Sequence, residues 1–251
     1  MTNLCFQVEG YVSPFAKQLP KIQTEDLIYI EKFEEDVYGH WLFGNNVGTL
    51  IDKVNSRSLI VQPGASVQPT YSDEYVSLSI KDGNALVSDL LDSAVSQFTM
   101  SGLFMPNSTN LSTIMGNLAA ASGETATGFG IFTSAGKLYA TIRTQVSSWD
   151  VGIALDPVKP VFASISINKT TGIVNFVAQQ AGIFYEKTTP NLNYLNAGVP
   201  FSFGNNRFPS SFTNTNKMYE GIIHDKALSI DEIKMVANRM KIRQEQRGII
   251  F

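Results

Sequence analysis

"VFASISINKTTGIVNFVAQ", residues 161–179, decides the fold class. Val161, Ala163, Ile165 and Ile167 alternate with Phe162, Ser164, Ser166 and Asn168. Successive side chains of a strand point to opposite faces, so the alternation predicts a strand with one face in a core and the other toward water or a ligand. "GIVNFVAQ" (172–179) is apolar on both faces, which predicts a central strand. The intervening "NKTTG" (168–172) carries the small polar residues and late glycine that let a chain reverse between antiparallel strands. The pattern recurs in "KLYATIRT" (137–144), which follows the turn "TSAGK" (133–137), and similar runs stand at "YVSLSI" (75–80), "FTMSGLFM" (98–105) and "VPFSFG" (199–204). Many short strands joined by polar loops, from about residue 41 onward, predict an all-β antiparallel sandwich or jelly roll.

The one clear helix signal comes near the end, in "YEGIIHDKALSIDEIKMVANRMKIR" (219–243). Ser229 and Glu232 have the spacing of a capping box, Leu228 and Ile233 that of a hydrophobic staple, and Asp231 and Glu232 place negative charge where the helix dipole favours it. Ile230, Ile233, Val236, Ala237 and Met240 form an apolar stripe over a helix expected at 230–247, with Lys234, Arg239, Lys241 and Arg243 left largely in water.

With 251 residues, 43% hydrophobic and 16% charged, the chain can bury a large core as one domain. A net charge of -3 supplies no general attraction to nucleic acid or to an anionic membrane. A single cysteine, Cys5, excludes an internal disulfide. No apolar run is long enough to span a bilayer, and "MTNLCFQVEGYVSP" (1–14) lacks the order of a signal peptide, so synthesis in a cytosol is expected. The sequons at Asn107, Asn110 and Asn168 therefore carry little weight. Residues 1–40 differ from the rest: Pro14 and Pro20 break them, and "IQTEDLIYIEKFEEDVYGHW" (22–41) is ambiguous between helix and strand. They are expected to form an arm or an added edge element, beside a sandwich domain at 41–251.

The order of these pieces resembles the concanavalin A-like lectin/glucanase fold in its laminin-G-like form. There the last core strand often runs into a turn and helix of the form G-x-I, then L-S-x-x-E-I, and "EGIIHDKALSIDEI" (220–233) follows that order. "KDGN" (81–84), "VSQFTMSGLFMP" (95–106), "TIMGN" (113–117), "GFGIF" (128–132) and "KLYATI" (137–142) resemble the preceding loop, strand and hairpins, so that the likeness spans residues 41–243. It implies a helix covering an open end or edge of the sandwich, and a calcium site for which Asp52, Asn55, Asp82 and Asn84 are of the right type. "HWLFGNNVGTLIDKVNSRSLIVQPGASVQPTYSDEYVSL" (40–78) is similar in style to lectin-like modules of phage virion and tail-fibre proteins. That likeness implies a virion location, other virion proteins as partners, and a homotrimer assembled partly through the apolar residues of the arm, among them Phe6, Tyr11, Phe15, Leu27 and Tyr29. An arm folded back on its own domain is the alternative.

Glucanases of the fold place their carboxylates as E-x-D-x-x-E on one strand, where alternate residues share a face. The nearest approach, "EEDVYG" (34–39), has Glu34 and Asp36 but Gly39 in the last place. Glu124 and Glu220 read as a loop carboxylate and a strand-end carboxylate facing solvent, and His40, His224 and Cys5 match no metal-ligand or nucleophile-base spacing. Binding is then the expected class. Sugars are held by aromatic faces and by Asn, Asp and Arg hydrogen bonds, and loops supply these at Trp149 and Asp150, at Tyr194, and at Asn205, Asn206 and Arg207. Trp149 can equally plug the space between sheets or meet another subunit, the asparagines can equally make turns, and Trp41 is expected in the core. The expected function is non-enzymatic attachment to a bacterial surface glycan. The alternatives are a structural virion protein without sugar binding and a glycan hydrolase.

Overall fold

The computed structural model describes residues 33–44, 46–106, 111–120, 126–144, 148–212 and 214–251, with the backbone alone at 148–150. Two antiparallel sheets face each other. The first contains β1 (Gly39–Leu42), β3 (Thr70–Tyr71), β4 (Val76–Ser79), β6 (Gln97–Met105), β11 (Val161–Asn168), β12 (Ile173–Gln180), β13 (Ile183–Thr189) and β15 (Thr215–His224). The second contains β2 (Ile60–Val61), β5 (Asn84–Leu91), β7 (Ser112–Gly116), β8 (Phe129–Ser134), β9 (Lys137–Arg143), β10 (Ser148–Ala154) and β14 (Pro200–Asn205). Along the first sheet the order is β13-β12-β11-β6-β15-β4-β3, with β1 pairing with β15 beyond β4; along the second it is β10-β9-β8-β7-β14-β5-β2.

The expected hairpins are present. Ala135 (φ 49°) and Gly136 (φ 74°) make the two-residue turn between β8 and β9. At the β11–β12 turn the Asn168 side chain accepts the N–H groups of Thr170 and Thr171, each at 3.0 Å. Inward-facing residues form the core: Val161, Ala163, Ile165 and Ile167 of β11 and Leu138, Ala140 and Ile142 of β9 are buried together with Phe98, Phe129, Phe201, Phe203 and Trp41. Residues 33–40, grouped with the arm from sequence, sit in this unit, since β1 begins at Gly39 and Glu34 is buried. Residues 1–32 lie outside the described residues, as do Cys5, Glu124 and the sequons at Asn107 and Asn110.

Two expectations about the outer surface are corrected. The helix α1 (Ile230–Glu245) does not cover an end or edge; it lies on the outer face of the first sheet. Its Ile233, Val236, Ala237 and Met240 pack on Leu103, Phe162, Val177, Tyr219 and Ile222. Burial of Ile233, Val236 and Met240 contributes about 1.5–3 kcal/mol each, and that is why the outer side of β11 is not wet. Phe162, Ser164 and Ser166 are buried, and Ser164 satisfies its hydroxyl against that of Ser101 at 2.8 Å. The capping box is formed as expected: the Ser229 hydroxyl accepts the Glu232 N–H at 3.3 Å, and the Glu232 carboxylate accepts the Ser229 N–H at 2.7 Å.

Candidate functional site

The candidate loops divide into those that hold the fold and those that offer chemistry at the surface. Asn205 is fully buried: its amide donates to the carbonyls of Ile80 (2.9 Å) and Phe208 (2.8 Å) and its oxygen accepts the Phe208 N–H (3.0 Å). Asn206 is buried too and donates to the Pro200 carbonyl at 3.3 Å. These asparagines shape the turn that presents Arg207, whose side chain is exposed and whose carbonyl accepts the Ala120 N–H at 3.2 Å. The chain that follows runs beside the β4–β5 loop, with Asp82 N–H donating to Ser210 (3.0 Å) and Ile80 N–H to Asn214 (2.9 Å). This brings Lys81, exposed Asp82, Arg207 and Phe212, which is 43% exposed, to one rim. Burial raises the Asp82 carboxyl above its usual value, an effect that the Gly83 N–H and the Arg207 charge partly offset. Phe212 was not singled out from sequence, because an aromatic in "PSSFTNTN" (209–216) has no periodic context.

Tyr194 lies close by, since Asn117 touches it and Ala119 bridges to Arg207, but its hydroxyl is committed inward. It donates to the carboxylate of Asp92 at 2.7 Å, which also takes the Asn117 amide (2.7 Å) and the N–H groups of Ala197 (2.6 Å) and Gly198 (3.3 Å). Burial and the charge of Asp92 push the Tyr194 phenol well above its usual value, so it stays a donor to that carboxylate. Tyr194 is thus part of a buried clasp around Asp92 and leaves no hydroxyl for a ligand. The backbones of Trp149 and Asp150 pair with Ile142 and Thr141 in β10 and β9, while their side chains lie outside the described residues.

Of the calcium candidates, Asp52 accepts the N–H groups of Val54 (2.7 Å), Asn55 (2.8 Å) and Arg57 (2.6 Å), and Asn55 donates to the Val37 carbonyl (2.7 Å). Asn84 accepts from Val67 N–H (2.7 Å) and donates to the carbonyls of Lys81 and Asp82, both at 3.0 Å. Oxygens that face N–H donors stabilise loops and do not present a cation cage. Asp52, Asn55 and Asn84 are therefore committed to bracing their own loops and do not fit the calcium site that the resemblance implies.

Glu220 requires a correction. It is fully buried beneath α1, not solvent-facing, and Arg243, expected in water, is 1% exposed beside it. Arg243 Nε and Nη2 donate to Glu220 Oε1 at 2.9 and 2.6 Å, and the Gln244 amide donates to Oε2 at 2.6 Å. The Glu34 N–H donates to His40 Nδ1 (3.0 Å), which leaves the ring proton on Nε2 to donate to Glu220 Oε1 (2.8 Å). Arg239 donates to Glu34 Oε1 at 2.8 Å, and Arg243 reaches the same carboxylate at 3.4 Å. Burial alone would raise both carboxyls, but the His40 hydrogen bond and Arg243 hold Glu220 below its usual value, and Arg239 does the same for Glu34. His224 is buried nearby with no hydrogen-bond partner for Nδ1 among the described residues, and burial lowers it to about 4. The cluster ties β1 and β15 to the helix.

No family model and no curated protein matches the sequence. Solved structures do. The receptor-binding domain of botulinum neurotoxin D superposes with a TM-score of 0.58 at 14% identity, covering 83% of this chain and 54% of that one. The concanavalin A-like jelly roll is the fold. The binding domain of botulinum neurotoxin DC in complex with SialylT matches with a TM-score of 0.54 at 18% identity over 81% of this chain and 51% of its own. The serotype D ligand-binding domain in complex with N-acetylneuraminic acid gives 0.56 at 14% over 80% and 50%. This chain spans about half the length of those domains, and at such identities the likeness is one of fold. Among the described residues no helix is long and apolar enough to cross a membrane.

Proposed function

We propose that this chain is a non-enzymatic carbohydrate-binding module that engages its glycan at the rim of Lys81, Asp82, Arg207 and Phe212. The observation that carries the reading is this juxtaposition on a lectin-like scaffold: an exposed ring to stack on the C–H face of a sugar, with a guanidinium and a carboxylate beside it to bond hydroxyls. Two of the similar neurotoxin domains were solved in complex with SialylT and with N-acetylneuraminic acid, and an anionic sugar such as the latter would suit the two cations at this rim. A non-catalytic role is supported by Glu34 and Glu220, whose oxygens are engaged by arginine, histidine and glutamine beneath the helix. The narrower reading rests on the sequence resemblance: a phage virion attachment protein, homotrimeric and in contact with other virion proteins, that recognises a bacterial surface glycan.

A glycan array that includes sialylated and other carboxylated sugars tests the proposal. Binding is expected to weaken by about tenfold or more in Arg207→Ala, as for a lost charge-assisted hydrogen bond, and to fall in Phe212→Ala. Binding unaffected by both substitutions would move the site elsewhere. An array without any bound glycan would favour the structural virion protein, and reducing sugar released from a polysaccharide would overturn the non-enzymatic reading.

A further inference from the structure

The turn that carries Lys81 and Asp82 to the surface holds the one Asp-Gly pair of the chain, Asp82–Gly83, and no asparagine precedes a glycine anywhere in the sequence. Such a pair invites one reaction, because glycine alone puts no side chain in the way when its nitrogen approaches the carboxyl of the residue before it. Gly83 stands at φ 76° with open space where a Cβ would be, so that side is unhindered. Its N–H has no backbone acceptor among the described residues and donates to the Asp82 carboxylate, which holds the nitrogen next to the carbon it would attack. Asp82 is exposed, so water reaches it, and Arg207 sets a positive charge where negative charge develops on the carboxyl oxygen during attack. Partial burial also favours the protonated carboxyl, the form that can lose water. Other aspartates lack these conditions. Asp92 precedes serine, is fully buried and gives its oxygens to Tyr194, Asn117, Ala197 and Gly198. Asp52 precedes Lys53 and accepts three N–H groups, and Asp156 precedes Pro157, whose nitrogen carries no hydrogen.

We propose that Asp82 is a covalent modification site, at which the folded chain converts spontaneously to isoaspartate through a cyclic imide with Gly83. The Gly83 nitrogen attacks the side-chain carbonyl carbon of Asp82, a carbon–nitrogen bond forms, and the carboxyl hydroxyl leaves with the amide hydrogen as one water. Water then opens the ring. Cleavage at the main-chain carbonyl leaves the chain running through the side-chain carbon, so the backbone gains one methylene and the former main-chain carbonyl becomes the free carboxylate. Overall one water is lost and one regained, and no oxidant or other reactant enters. The change falls between fixed points: the Asp82 N–H is held by the Ser210 carbonyl at 3.0 Å, and the Asn84 amide holds the Asp82 carbonyl at 3.0 Å. The added methylene must bulge between them. It moves the carboxylate relative to Arg207, so on the reading of this rim as a glycan site the modification would alter binding, while the chemistry itself does not depend on that reading.

The test is made on the full chain, kept folded in neutral and mildly acidic buffer at growth temperature and sampled over weeks, beside a synthetic peptide of residues 77–88. Digests are typed with isoaspartyl methyltransferase and by fragmentation spectra that separate the two isomers. Isoaspartate should build up at position 82 ahead of every other position, with the imide seen as the loss of one water, and Asp82→Glu, whose longer side chain closes a ring far less readily, should abolish the signal. Circular dichroism on each sample confirms that the chain stays folded. A folded chain without isoaspartate at position 82 while the free peptide converts, or conversion led by another position, would overturn the proposal. Either result is read from mass and not from binding, so it leaves the glycan reading of the rim where it stood.

Discussion

Replacing Arg243 by methionine should be among the most damaging single changes available outside the main core. The side chain is fully buried, it makes two hydrogen bonds of 2.9 and 2.6 Å to Glu220, and Glu220 has no exposure of its own. Methionine fills much of the volume but leaves a buried carboxylate without its guanidinium, with His40 and Gln244 as its remaining described partners. Removing one member of a buried ion pair costs about 3–5 kcal/mol, a large share of the 5–15 kcal/mol by which domains are usually stable. For a domain of this size that corresponds to a fall in Tm of about 6–20 °C. The sign with pH follows from the same geometry. In the parent, Glu220 lies below its usual value, so its contribution is present above the unfolded carboxyl value of 4.5 and is lost as pH falls. In the variant, burial prevails and raises the group, so protonation relieves the defect and the gap between the proteins narrows in acid. Urea unfolding at neutral and acidic pH measures both effects. The double variant Glu220→Gln/Arg243→Met should recover ~1–3 kcal/mol, the coupling expected of groups in contact. A single variant that costs less than about 1 kcal/mol, or a double variant as unstable as the sum of the singles, would refute the account of this pair.

Gly221→Ala should cost about 1–3 kcal/mol in the same assay, because a Cβ there would lie 2.4 Å from the Phe203 ring and the core would have to shift. Ser229→Ala should lose about 0.5–2 kcal/mol with the capping box, and a melting curve superposable on the parent's would show that the cap carries no stability. His224, lowered by burial from 6.5 to about 4 among Glu34, Lys226, His40 and Arg239, binds fewer protons folded than unfolded. Stability should therefore drop by up to about 3 kcal/mol as pH falls from 6.5 toward 4, and His224→Gln should flatten that slope; an unchanged slope would mean that other groups set it.

The strands and the capped helix were legible because their signals are local: a period of two in "VFASISIN" and a three-residue spacing in "SIDE". The fate of the outer face was not, since serine is compatible with both water and a tight seat under a helix, and Phe162 among the serines was the one hint that the face is covered. Arg243 could have been placed by counting, for it stands three residues after Met240 and seven after Val236, on the buried stripe, where charge argued for the opposite side. The Tyr194–Asp92 clasp left no trace in the pattern, because its partners are 102 residues apart and asparagine-rich loops look alike whether they bind or brace. At the rim, Arg207 was readable from its loop, but its neighbours Lys81 and Asp82 arrive from the β4–β5 connection between the two sheets, more than a hundred positions away.

β15 lies in the interior of the first sheet, with β6 along one side and β4 followed by β1 along the other. All three neighbours are translated long before residue 215, so on the ribosome β6, paired with β11, and β4, paired with β3, must each wait with one edge open until the last strand emerges and inserts between them. Vectorial synthesis thus leaves the half-made sheet open at its middle, a state prone to sticking to other nascent chains. A chain stopped short at position 214 would not be a trimmed lectin fold but two fragments of sheet with nothing to join them.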